Sequence, residues 1–148
     1  MEGVVGGVYG SIAILALGLL GFLASLGTFV EFRRALGSPL CRPGSKVDCL
    51  RVYSLPQAWV LGFHLSQLAL PFYSLVVILE IVALALNSIP AFRLALLLLL
   101  VSAITAPYLI YLMVRYAKAF CIYCLTMHAT SILTLILAYE ALIRIFLE

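Results

Sequence analysis

The stretch Lys118–Tyr139, KAFCIYCLTMHATSILTLILAY, decides how the rest of the chain is read. Cys121 and Cys124 stand three residues apart at the front of a run, Ala119 to Tyr139, without a single Asp, Glu, Lys or Arg. The hydrocarbon core of a bilayer needs about 20 apolar helical residues, so a cysteine pair of redox type lies at the mouth of a membrane helix. Backbone N–H groups at a helix start carry partial positive charge and favour a thiolate. Cys124 lies about 4.5 Å deeper along the helix axis than Cys121. The outer sulfur therefore meets a protein thiol, and the inner one meets something dissolved in lipid.

Three further uncharged runs have spanning length: Gly3 to Val30, Val52 to Leu79 and Leu94 to Val114. With 66% hydrophobic and only 10% charged residues, the solvent for most of the chain is lipid. The expected fold class is an all-α membrane protein, a bundle of four transmembrane helices with a long cysteine-bearing loop between helices 1 and 2. A single integral membrane unit over residues 1–148 has helices at about 6–32, 60–86, 92–115 and 120–146 and a redox loop at 33–59. SLPQAW, Ser54 to Trp59, reads as an interfacial segment before helix 2, and Pro90 marks the turn into helix 3. MEGVVGG lacks the basic start of a secretory signal, so the first run is expected to stay as a helix. No nucleic-acid signature appears, and the net charge of +3 sits in flanking loops, where it suits lipid headgroups.

The remaining cysteines, Cys41 and Cys49, lie in the one long polar connection, RRALGSPLCRPGSKVDCLRVYS (Arg33–Ser54). Each crossing changes sides, so a four-helix topology places this loop and the start of helix 4 on one membrane face. Seven residues separate Cys41 from Cys49, including the turn-forming pair Pro43 and Gly44. A disulfide across so short a loop is sterically reasonable. On an exposed, mobile segment it is open to thiol attack, and exchange with Cys121 or Cys124 passes electrons from loop to helix. A rival reading is a non-catalytic protein with a four-cysteine zinc site, since Cys-x-x-Cys is half of many such sites; the wide loop spacing fits it less well, and no metal is expected. A structural loop disulfide beside an inert helix pair is the blander alternative.

Taken together, four helices, a cysteine pair in the first loop, DCLRVYS (Asp48–Ser54), a glycine-containing start of helix 2 and CIYC (Cys121–Cys124) resemble the vitamin K epoxide reductase family over nearly the whole chain. The resemblance implies a bundle enclosing a lipid quinone (ubiquinone, menaquinone or a relative) near the Cys-x-x-Cys. It implies that Cys41 exchanges with a partner thiol, Cys49 passes electrons to Cys121, and Cys124 meets the quinone. Tyr53 and Ser54 fall where the family places an aromatic and a serine near the quinone, although Leu55 replaces a second serine, and GFH (Gly62–His64) stands where relatives often have Gly-Ile-Pro. Phe72 and Tyr73 are candidate cavity-lining residues. His128, on the helical face of Cys124, either bonds a quinone oxygen or ties neighbouring helices. His64 is expected at the interface, and Glu80 likewise, without a role.

The implied partner is a thioredoxin-like protein acting in trans, since the chain stops at Glu148 after helix 4 without a fused redox domain. Reduction of a quinone or epoxide by small thiols is the chemical alternative. The cysteine face carries Arg33, Arg34, Arg42, Lys46, Arg51, Arg115 and Lys118, against Arg93 and Arg144 opposite. Seven basic residues against two predict a cytoplasmic cysteine face, although most of the family faces the oxidising side.

Overall fold

The computed structural model describes residues 7–34, 41–42 and 44–147. Pro43, the loop residues 35–40 and the start expected for helix 1 at residue 6 lie outside them. The described chain is predominantly helical. Helix α1 covers Gly7–Arg34, a short α2 covers Cys49–Tyr53, and a two-residue β-hairpin pairs β1 (Trp59–Val60) with β2 (Phe63–His64). Then follow α3 (Leu65–Leu86), α4 (Ile89–Leu112), α5 (Ile122–Leu137) and α6 (Tyr139–Leu147).

Three spans are long and apolar enough to cross a membrane, Gly10–Arg34, Leu65–Leu86 and Ile89–Ala117; Ile122–Leu137 is apolar but shorter. Two boundaries differ from the sequence expectation. The segment 60–64 is not helical, because Leu61 and Gly62 both take positive φ (52° and 86°) and turn the chain back on itself as a primed hairpin. The helix expected over 120–146 is divided at Ala138, whose φ of −97° and ψ of 21° end α5 before α6 begins.

Helix α1 packs against α3 and α5, and α4 closes the ring by packing against the same two helices. Where lipid surrounds the helices, close packing rather than the hydrophobic effect holds them together, and α1 supplies it with glycines. A Cβ at Gly18 would strike the Glu80 carboxyl, one at Gly21 would lie 2.9 Å from Thr130 Oγ1, and one at Gly27 would lie 2.6 Å from the Tyr123 ring. The α3–α4 corner is set locally. Asn87, in the left-handed region at φ 50°, ends α3, Ser88 caps α4 through its side chain, and Pro90 occupies the first turn, where its missing N–H costs nothing.

At the other end of the bundle α4 loosens into a π-helical turn, Met113–Ala117, and Lys118 takes φ 52°. This redirects the chain so that Phe120 donates its N–H to the Lys46 carbonyl at 2.8 Å, and Val47 and Phe120 form an isolated parallel bridge. One backbone hydrogen bond thus joins the cysteine loop to the residue before Cys121.

Candidate functional site

Cys41 and Cys49 form a disulfide with Cα atoms 5.4 Å apart. Asp48 caps the short helix that follows: its carboxylate accepts from the N–H of Arg51 at 3.2 Å and from that of Gly44 at 3.0 Å, folding the loop around the bridge. The sequence placed this pair on an exposed segment. Instead both residues are buried, at 1% and 0% exposure, in a cluster with Val52, Tyr53, Met113, Ala117 and Cys121. The reason is amphipathic: the four residues after Cys49 form α2, which turns Val52 and Tyr53 inward while Arg51 and Ser54 stay outside.

Cys121 and Cys124 are free thiols. Cys121 is the N-cap of α5, and its sulfur accepts from the Cys124 backbone N–H at 3.4 Å, as a capping oxygen would. The Tyr53 hydroxyl lies 3.3 Å from the same sulfur. Burial pushes the Cys121 thiol up, but hydrogen bonds from the Cys124 and Tyr53 side chains and from the backbone outweigh it and leave the group below its ordinary value. Tyr53 is pushed the other way, by burial and then by the neighbouring Cys121 and Cys124. The phenol is thus the weaker acid of the pair, and when Cys121 ionises the hydroxyl keeps its proton and donates to the thiolate.

Cys124 packs against both the cysteine cluster and the main core, and it lines a cavity of about 210 Å³. Phe72, Tyr73, Tyr53 and His128 line it too, so four of the five residues named as cofactor contacts converge there. Ser54 does not: it is exposed, and its hydroxyl donates to the Arg51 carbonyl at 2.8 Å, so the expectation that it faces a quinone is corrected. Its position on the outer face of α2 is the cause.

One wall of the cavity is polar and fully wired. Tyr73 Oη lies 2.8 Å from Ser102 Oγ and 2.9 Å from Ser131 Oγ, and Ser102 in turn meets His128 Nδ1 at 3.2 Å. His128 Nδ1 also lies 3.0 Å from the Ser102 carbonyl, which makes it the protonated nitrogen and leaves Nε2 as an acceptor. Ser102 and Ser131 were not singled out in the sequence, since one serine in an apolar helix carries no periodic signal.

His64 is 1% exposed, caps α3 by accepting the Ser66 N–H at Nδ1 (3.1 Å), and donates from Nε2 to the Tyr53 carbonyl at 2.8 Å. Burial holds its pKa below the ordinary value against the opposing pull of that carbonyl. Glu80, expected at an interface, is 2% exposed with neither carboxyl oxygen hydrogen-bonded. Among the described residues no group of three or more His, Cys, Asp or Glu is placed to hold a metal ion.

A comparison with curated proteins finds no match. The family model described as the vitamin K epoxide reductase family matches residues 12–139, which take in all four cysteines, the cavity and the helices around it. The chain belongs to the vitamin K epoxide reductase family and is a membrane thiol–disulfide oxidoreductase of that type.

Proposed function

We propose that the protein makes disulfides by carrying electrons from a thioredoxin-like partner through Cys41 and Cys49 to Cys121 and Cys124, and from there to a lipid quinone. The carrying observation is the position of the Cys-x-x-Cys pair: Cys121 is buried beside the loop disulfide, and Cys124 lines the cavity. A two-electron relay needs that contiguity, because thiol–disulfide exchange proceeds by direct attack of sulfur on sulfur.

The chain's own residues fit a quinone in the cavity. Phe72 and Met127 offer apolar faces, while His128 Nε2 and the Tyr73–Ser102 pair offer polar contacts on one wall. A quinone bound there accepts two electrons and two protons. Cys124 faces that space, and His128 holds or passes a proton at Nε2. In the partner half of the reaction, a partner thiolate attacks the loop disulfide, one loop sulfur leaves as a thiolate, and the partner is released oxidised once the second partner thiol resolves the mixed disulfide. Because both loop sulfurs are buried, that attack requires α2 and the Lys46–Phe120 contact to open.

The loop disulfide leaves two free thiols, which supports the relay over a zinc site needing four thiolates. Four crossings, with Ile122–Leu137 as the short fourth span, put both cysteine pairs on one face. The basic residues gathered there support a cytoplasmic orientation. The test is quinone reduction by a dithiol donor in purified protein: Cys124→Ala and Cys121→Ser are each expected to abolish it, and activity persisting in either variant overturns the relay.

A further inference from the structure

We propose that Tyr53 is a positioning residue for electron transfer from loop to helix: its hydroxyl fixes the Cys121 sulfur and receives it as the departing thiolate. The inference rests on the relay read above and deepens it.

Tyr53 follows Cys49 by four residues on α2, one helical turn along the same face, so the residue that holds Cys121 is carried by the helix that begins with a loop cysteine. Nothing about the phenol is loose. Its ring meets Phe32 edge-on at 6.3 Å and His64 edge-on at 5.8 Å, and its carbonyl is bonded to His64 Nε2. The hydroxyl is thereby aimed at Cys121 Sγ, 3.3 Å away, in a site from which water is excluded: Tyr53 is 6% exposed and Cys121 0%. The Cys124 N–H completes a two-donor cradle around the sulfur.

The cradle matters in one step of the exchange. After Cys49 has attacked the Cys121–Cys124 disulfide, Cys49 and Cys121 are joined. The Cys41 thiolate then attacks Cys49 Sγ. The Cys41–Cys49 bond forms, the Cys49–Cys121 bond breaks, and the electron pair leaves on Cys121. Two electrons have passed from the loop dithiol to the helix pair; of the two loop protons, one ends on the helix pair and one leaves to solvent. A disulfide opens faster the more stable its leaving thiolate, and a hydrogen bond to a charged group is stronger than one to a neutral group. The structure holds the product of this step, with the loop disulfide closed, the helix thiols free and the hydroxyl on the expelled sulfur. The titratable groups that act on Cys121 are Tyr53 on α2 and Cys124 on α5; the loop disulfide and Met113 packed beside them have no proton to exchange.

The experiment follows the infrared S–H stretch of the helix thiols against pH, a readout that needs no reagent to reach the buried sulfur, in the full chain in detergent with the loop disulfide intact. Tyr53→Phe keeps the ring and removes the donor. The Cys121 midpoint is expected to rise by about one pH unit, a roughly tenfold smaller thiolate fraction at a pH below both midpoints. Dithiol-driven turnover falls with it. A ring-fluorinated tyrosine at position 53, a stronger donor, is expected to lower the midpoint, which a packing role does not do. Midpoints unmoved in both proteins overturn the proposal. The titration needs no turnover, so failure of the relay is read separately: Cys121→Ser retaining full activity overturns the exchange step itself, whatever the midpoints do.

Discussion

His64 lies flat against Phe32, ring centroids 4.2 Å apart and planes 10° apart, while its two nitrogens join α3 to the end of α2. Because Nδ1 accepts from the Ser66 N–H, the hydrogen is on Nε2 and the ring is neutral. Replacing it by leucine removes a helix cap and a tether to the Tyr53 carbonyl, at an expected cost of about 1–3 kcal/mol. Thermal unfolding in detergent checks this.

The same residue gives stability a pH dependence. Burial depresses the folded-state pKa below 6.5. As pH falls through 6.5 the unfolded chain gains its proton first, so stability is lost below that pH and levels off once the folded histidine also titrates. Melting temperature measured between about pH 5 and pH 8 should decline toward acid in the wild type, and less steeply in His64→Gln. Equal slopes would remove His64 as the cause.

Gly27 touches the ring of Tyr123, which stands between the two helix cysteines in sequence. A methyl group there pushes α1 away from α5. Gly27→Ala is expected to cost about 1–3 kcal/mol by overpacking and to weaken quinone binding through displacement of Cys124. A melt and a KM both unchanged would show that the contact relaxes without moving the helix.

Glu80 presents the opposite case, a buried group whose removal should help. Both oxygens are buried without a hydrogen bond, against a glycine that leaves them room. Glu80→Met preserves volume and removes the desolvation cost of the carboxyl. Stability should rise by about 1–3 kcal/mol. A lower melting temperature would mean that the carboxyl has a bound partner in the membrane.

Tyr73 ties three helices through Ser102 on α4 and Ser131 on α5. Tyr73→Phe leaves those hydroxyls short of one partner, and the KM for quinone should rise severalfold while the Cys121 titration midpoint is unaffected. The reverse pattern would assign Tyr73 to the thiol chemistry.

Orientation is tested by reducing intact cells mildly and adding a membrane-impermeant thiol reagent. Labelling of Cys41 and Cys49 only after breakage is expected for a cytoplasmic cysteine face; labelling in intact cells would place the loop outside.

Uncharged run lengths, the cysteine spacing and the side parity of crossings were enough to bring Cys41, Cys49, Cys121 and Cys124 into one argument, because lipid imposes length and polarity on every residue of a span. The turn into the next helix was legible as well at Pro90, where the signal is confined to one turn. Burial of the loop disulfide was not, since it depends on α2 folding back against Met113 and Ala117, more than sixty residues away in sequence. For the same reason the inward turn of His64, the bond from Tyr53 to Cys121 and the Tyr73–Ser102–Ser131 wall belong to the tertiary structure alone. A side chain's periodic position says which face of its helix it occupies; only the packing of helix against helix decides what that face meets.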